Sequence, residues 1–175
     1  MLRTIAVTTM LLALTAACSS SRPNRDPTGE IFPSVRGETL DGQERLLPRD
    51  LEGPRTVLLV GYVQDTQFDL DRWILGLLQA GVDVPIFEVP TIEGLLPGLA
   101  AGQIDGGMRR GIPSEDWGSV ITVYGDAGKI TALTGTENPR NGRVLLLDGE
   151  GRVIWFHDRG YSAGTLMSLL DAIRS

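Results

Sequence analysis

The sequence predicts an α/β domain, a mixed central sheet with a C-terminal β-hairpin and helices on both faces. Three observations carry this. Thr56–Gly61 (TVLLVG) is a continuous apolar run, the pattern of a strand covered on both faces. Apolar residues at 70, 73, 74, 77 and 78 follow it at helical spacing. Arg143–Leu147 and Arg152–Phe156 are two apolar runs joined by Asp148-Gly149-Glu150-Gly151, which reads as a β-hairpin.

The remaining elements fall between these. Glu30–Leu51 is an opening segment, and its Asp41-Gly42 pair suits a tight hairpin turn. The helix over Phe68–Ala80 takes Asp69 as its cap and Gly81 as its stop. Val82–Val89 reads as a second strand, weakened by Pro85, which cannot donate to a sheet ladder. Pro97, Gly98 and Gly102 break Ile92–Ile104 into a short or interrupted helix. Asp105–Asp116 is expected as an irregular loop. Ser119–Tyr124 is a third strand, rich in β-branched residues. Gly128–Leu133 forms one or two helical turns, and Gly135–Asn141 is a loop. Ser162 caps a last helix with apolar residues at 166, 169, 170 and 173. Strand, helix, strand at the front implies a parallel crossover, and the hairpin an antiparallel edge.

Composition limits the chemistry. The chain has 175 residues, enough for one domain with a real core. Its formal charge is −6, and Lys129 is the one lysine. An acidic chain is a poor partner for nucleic acid, whose phosphates need clustered cations. One Cys and one His exclude an internal disulfide, an intrachain dithiol cycle and the usual zinc sites. No metal or cofactor is expected.

Residues 1–17 carry Arg3, a short apolar stretch from Ile5 to Leu14, and Ala16-Ala17 before Cys18. This is a secretory signal, too short to span a membrane as a helix. Cys18 followed by three serines resembles the signal of a bacterial lipoprotein, although Thr15 stands where Leu is preferred. The resemblance implies that Cys18 becomes the lipid-bearing first residue, with palmitate-type acyl chains as the anchor. The place implied is the bacterial cell envelope, at a membrane periphery, and Ser19 favours the outer membrane facing the periplasm. Ordinary cleavage after Ala17, leaving a free thiol, is the alternative. Residues 18–29 are polar, with two prolines, and are expected as a flexible tether. The domain proper is expected over 30–175.

FPSVRGETLDGQERLLPRDLEGPRTVLLVGY and GRVLLLDGEGRVIWFHDRG, in this element order, resemble the thioredoxin fold in its peroxiredoxin-like form. The match runs from about Phe32 to Ile173. Redox members of that fold carry cysteines in the turn after the first central strand. They also carry a cis-proline six residues before the Asp that ends the first hairpin strand. Here Gly61–Trp73 contains no Cys, and Gly142 stands where the proline would. Gly142, with GRVLLLD, RVIW, ITVYGDAGKITALTG and MRRGIP, is similar to a narrower group. These are the thioredoxin-like mitochondrial ATP synthase assembly factors and their bacterial relatives. The resemblance implies a thioredoxin-like domain without redox chemistry and a part in helping a membrane complex assemble. No catalytic residue carries over.

Five residues are candidates for contact with a protein partner. Asp65 and Gln67 occupy the turn where a redox member would be reactive. A polar contact at the positive end of a helix competes there with plain capping and solvation. Arg109 and Arg110 sit in a glycine-bounded stretch and could hold an acidic partner. Trp117 is the tryptophan expected to be exposed, whereas Trp73 is expected in the core and Trp155 half-buried. Asp65, Asp69 and Asp71 lack the ligand spacing of a calcium loop. His157 and Asp158 are adjacent on a strand and point to opposite faces, so they do not build a hydrolase triad. The sequence thus favours a membrane-anchored, non-catalytic thioredoxin-like domain that binds or chaperones a protein. A small-ligand-binding lipoprotein, or an enzyme with non-thiol chemistry at Asp65–Asp71 or His157, are the alternatives.

Overall fold

The computed structural model describes residues 21–51, 53–94 and 101–175. The expected signal stretch 1–17 and the expected lipidation site, Cys18, lie outside the described residues. Strands β1 (Val35–Thr39) and β2 (Glu44–Leu47) form the opening hairpin, turning at Gly42, whose φ is +87°. They are followed by β3 (Arg55–Gly61), α1 (Gln67–Ala80) and β4 (Ile86–Pro90). Next come α2 (Ala101–Gly111), β5 (Ile121–Thr122) and α3 (Ala127–Thr134). The chain closes with β6 (Arg143–Asp148), β7 (Val153–His157) and α4 (Ala163–Arg174).

The central sheet has the order β4-β3-β6-β7. β3 and β4 are parallel, while β3–β6 and β6–β7 are antiparallel. A second ribbon, β2-β1-β5, is joined to it by parallel bridges Glu88–Val120 and Thr91–Val123. The side-chain alternation of β3 explains the two-sided burial. Leu58 and Val60 face one core with Ala127, Ile130 and Leu133 of α3. Val57 and Leu59 face the other, with Leu70, Trp73 and Leu77 of α1 and Leu169 of α4. The mixed sheet, its C-terminal hairpin and the helices on both faces are therefore as the sequence predicts.

Several elements differ. The expected loop over Asp105–Asp116 is helical as far as Gly111, and a 3-10 turn then covers Ser114–Ser119. Four glycines in α2 argue against helix by propensity. Tertiary bonds override them: Tyr124 donates to Asp105 at 2.9 Å and Arg109 Nε to the Leu40 carbonyl at 2.6 Å. Of the helix expected within Ile92–Ile104, the described part is the beginning of α2 from Ala101, and residues 95–100 lie outside the described residues. The third strand shrinks to Ile121–Thr122, and the second starts at Ile86, just past Pro85. Asp69 does not cap α1 but lies in its first turn with its carboxylate turned inward. Gly81 does end α1, in the left-handed conformation at φ +62°. Ser162 caps α4 by accepting from the Thr165 N–H at 3.1 Å.

Of the tether expected over 18–29, residues 18–20 lie outside the described residues and the rest needs correction. Residues 22–29 are bonded to the domain. The Thr136 N–H donates to the Arg22 carbonyl, the Arg25 N–H to the Thr134 carbonyl, and the Gly29 N–H to the Val153 carbonyl. Pro27 is buried. The partners lie more than a hundred residues away in the chain, so local composition could not reveal them.

Candidate functional site

The turn between β3 and α1 is held by its own polar side chains. The Val63 N–H donates to Thr66 Oγ1 at 3.2 Å, and that hydroxyl donates to the Pro139 carbonyl at 2.7 Å. Asp65 is exposed and pairs with Arg140 at 3.2 Å, a contact worth little in water. Gln67 is exposed at the head of α1. Its Nε2 donates to Asp71 Oδ1 at 2.9 Å and, at 3.5 Å, to Glu88 Oε2.

Beneath the turn, Asp69 joins three chain segments. Its Oδ2 accepts from the Gly142 N–H at 2.8 Å and its Oδ1 from the Tyr161 N–H at 2.7 Å. Glycine suits position 142, because an added Cβ would lie 2.2 Å from Leu70 Cδ2 and the buried Leu70 side chain would have to shift. The sequence singled out Gly142 by its place before β6, and the geometry supplies the reason for it.

Next to Gly142 stands a fully buried cation that sequence reasoning missed. Arg143 Nη1 donates to the Asn141 and Asn138 carbonyls at 2.7 and 3.2 Å. Its Nη2 donates to the Glu137 carbonyl at 2.6 Å and to Asn24 Oδ1 at 2.9 Å. The guanidinium also lies 5.3 Å from the centre of the Tyr62 ring, in cation–π range. Burial pulls the Arg143 guanidinium below its ordinary value. Burial also pushes the Tyr62 hydroxyl up to about 12, although its hydrogen bond with Thr134 and the nearby Arg143 charge act the other way. The one sequence signal was a charged residue opening an otherwise apolar strand.

The other candidates form a separate cluster. Arg109 is half-buried, with its guanidinium 5.7 Å above the Trp117 ring. Trp117 is half-buried too, rather than exposed as expected, because its Nε1 donates to the Ile112 carbonyl at 3.0 Å. Arg110 is exposed. The fold thus brings Arg109 and Trp117 together and gives Asp65 and Gln67 other partners. Trp73 is buried and Trp155 half-buried, as expected.

Phe68, in the first turn of α1, is 72 % exposed. Leu75 and Leu78 share its outward face of α1 and are also exposed. Glu88, on β4, was also missed. It is buried, and desolvation raises its carboxyl above the ordinary value, with Gln67 opposing and the Asp71 charge adding to the rise.

His157 is placed for structure. Its Nε2 lies 2.9 Å from the Gly160 carbonyl, and its ring stacks on Trp155 at 6.0 Å. A cavity of about 520 Å³ opens beside it, with a lining that includes Asn24, Asp26, Asn138, Asn141 and Asp158. The lining is polar, so an apolar ligand does not suit it. Among the described residues, no cluster of three or more His, Cys, Asp or Glu side chains could hold a metal ion.

This geometry defines a thioredoxin-like fold, and solved structures agree. The chain is similar to the pneumococcal exposed lipoprotein thioredoxin Etrx1 from Streptococcus pneumoniae strain TIGR4, at 15% identity and TM-score 0.55, covering 81% of this chain and 98% of that one. It is similar to a thiol peroxidase from Chromobacterium violaceum, at 12% identity and TM-score 0.55, covering 87% of this chain and 90% of that one. It is also similar to BsSco, of the Sco family of cytochrome c oxidase assembly proteins, at 12% identity and TM-score 0.57, covering 87% of this chain and 96% of that one. No protein-family model and no curated protein matches the chain. Within the fold, this chain carries Gln64-Asp65-Thr66 in the turn and Gly142 before β6.

Proposed function

We propose that this chain is a cell-envelope lipoprotein, anchored through Cys18, whose thioredoxin-like domain binds another protein and helps a membrane complex assemble. The carrying observation is the head of α1. A thiol-free turn locked by Thr66 leads into an outward face with Phe68, Leu75 and Leu78 exposed. Exposed apolar groups of this kind are what contact surfaces are built from. Two likenesses support the reading without carrying it. BsSco belongs to a family of assembly proteins, and Etrx1 is a lipoprotein. The resemblance of GRVLLLD and ITVYGDAGKITALTG to ATP synthase assembly factors points the same way.

The test is made in the native host. Mass spectrometry of the mature N-terminus, with and without globomycin, is expected to find acylated Cys18. A photo-crosslinker at Phe68 is expected to capture a discrete protein. An unmodified Cys18, or thiol-independent reductase or peroxidase activity of the mature domain, overturns the reading.

A further inference from the structure

Residues 22–26 are bound to the domain the way an added peptide would be. The Arg22 N–H donates to Thr136 Oγ1 at 2.8 Å. The Arg22 carbonyl accepts from the Thr136 and Glu137 N–H groups at 2.9 and 3.2 Å, and the Arg25 N–H donates to the Thr134 carbonyl at 3.3 Å. The two backbones meet at Gly135, where an added Cβ would lie 2.2 Å from the Pro23 carbonyl oxygen and 2.5 Å from Asn24 Cα. Between these backbone bonds, one side chain turns inward. Asn24 Oδ1 accepts from Arg143 Nη2 at 2.9 Å, and Asn24 Nδ2 donates to Asp158 Oδ2 at 2.8 Å.

The pocket under Asn24 is chemically selective. A primary amide sets an acceptor and a donor side by side, matching a guanidinium and a carboxylate at once. A carboxylate in its place would face Asp158, and an ammonium would face Arg143. The oxygens to which Arg143 donates are all neutral, from backbone carbonyls and from Asn24. The segment itself hides little apolar surface, since Arg22, Pro23, Arg25 and Asp26 are exposed. A segment held by hydrogen bonds rather than apolar burial opens at low cost.

We propose that residues 22–26 form a releasable strap occupying, in cis, a peptide seat made by Thr134–Glu137, Arg143 and Asp158. The seat takes an extended segment of a protein partner that presents an Asn-type amide where Asn24 now sits, adding its backbone to the loop. This deepens the protein-binding reading and rests on it. The seat is tested apart from the α1 face, so a partner crosslinked at Phe68 stands or falls independently.

Native-state hydrogen exchange on the intact chain reads the opening. The Arg25, Thr136 and Glu137 amides are expected to exchange at least about a hundredfold faster than those of β3 and β6, through a denaturant-insensitive opening. Exchange at the core rate overturns the strap. Anisotropy of a labelled peptide of residues 21–30 reads the seat. The peptide is expected to bind the intact Asn24→Ala chain at least about tenfold more tightly than wild type, because the variant's own strap competes less. The same peptide with Asp in place of its Asn is expected to lose that binding. Absence of binding to Asn24→Ala overturns the seat, and equal binding of the Asn and Asp peptides overturns the amide selectivity.

Discussion

Asp69 and Glu88 are both 8 % exposed, one in the first turn of α1 and the other on β4 beside it. Burial treats them alike, but the donors around them do not. Asp69 accepts two backbone N–H bonds shorter than 2.9 Å, from residues 73 and 92 positions away. Glu88 receives one amide contact at 3.5 Å, and its carboxyl rises above the ordinary value. A buried carboxylate is a fastener or a burden according to the donors that reach it. Asp69 ties α1 to the approaches of β6 and α4 through two short bonds, whereas Glu88 has one long contact with Gln67 of α1.

The largest effect is expected from breaking the fastener. Asp69→Ala strands one buried and one partly buried N–H group and is expected to cost about 3 kcal/mol by urea denaturation. A loss below about 1 kcal/mol would erase the contrast between the two carboxylates. Gly142→Ala attacks the same joint from the other side, since its Cβ would meet Leu70, and is expected to cost about 2 kcal/mol.

Glu88→Gln sharpens the comparison with the opposite sign. The folded carboxyl titrates above the unfolded one, so ionising Glu88 costs the fold. That cost is absent below the ordinary value of 4.5, where both states hold the proton. It is complete above the raised folded value. Wild-type stability therefore falls across that window as pH rises. The glutamine variant is expected to gain about 1 kcal/mol at pH 7 and nothing in acid, as melts across pH would read. The smallest effect belongs to Phe68→Ala, expected within about 0.5 kcal/mol of wild type, because the ring lies in solvent.

How far the sequence could be read follows from the same distinction between local and distant partners. The β6–β7 hairpin was legible because its turn and both apolar runs sit within one short window. α2 was not, because Tyr124, Leu40 and Trp117 stabilise it from outside the window that its glycines dominate. Asp69 looked like a cap because Asp is a common cap, and its real donors arrive from the loops before β6 and α4. Asp65 and Gln67 were chosen as candidates by position in the fold, and Arg109, Arg110 and Trp117 by residue type. Arg143 and Asn24 were hidden in stretches that read as a strand and a tether. They are 119 residues apart in the chain, and only folding makes them a pair.

The strap over Gly135 also sets a length. While it is seated, Arg22 is held at a fixed point beside the loop before β6. Peeled back as far as Asp26, residues 22–26 can pay out roughly 16–18 Å of extended chain. If the upstream chain is fastened to a surface, that slack widens the volume the domain can sweep. It lowers the local concentration of anything held at the surface and raises that of anything farther out. Seating and unseating one asparagine would then work as a reel, choosing between near and far targets.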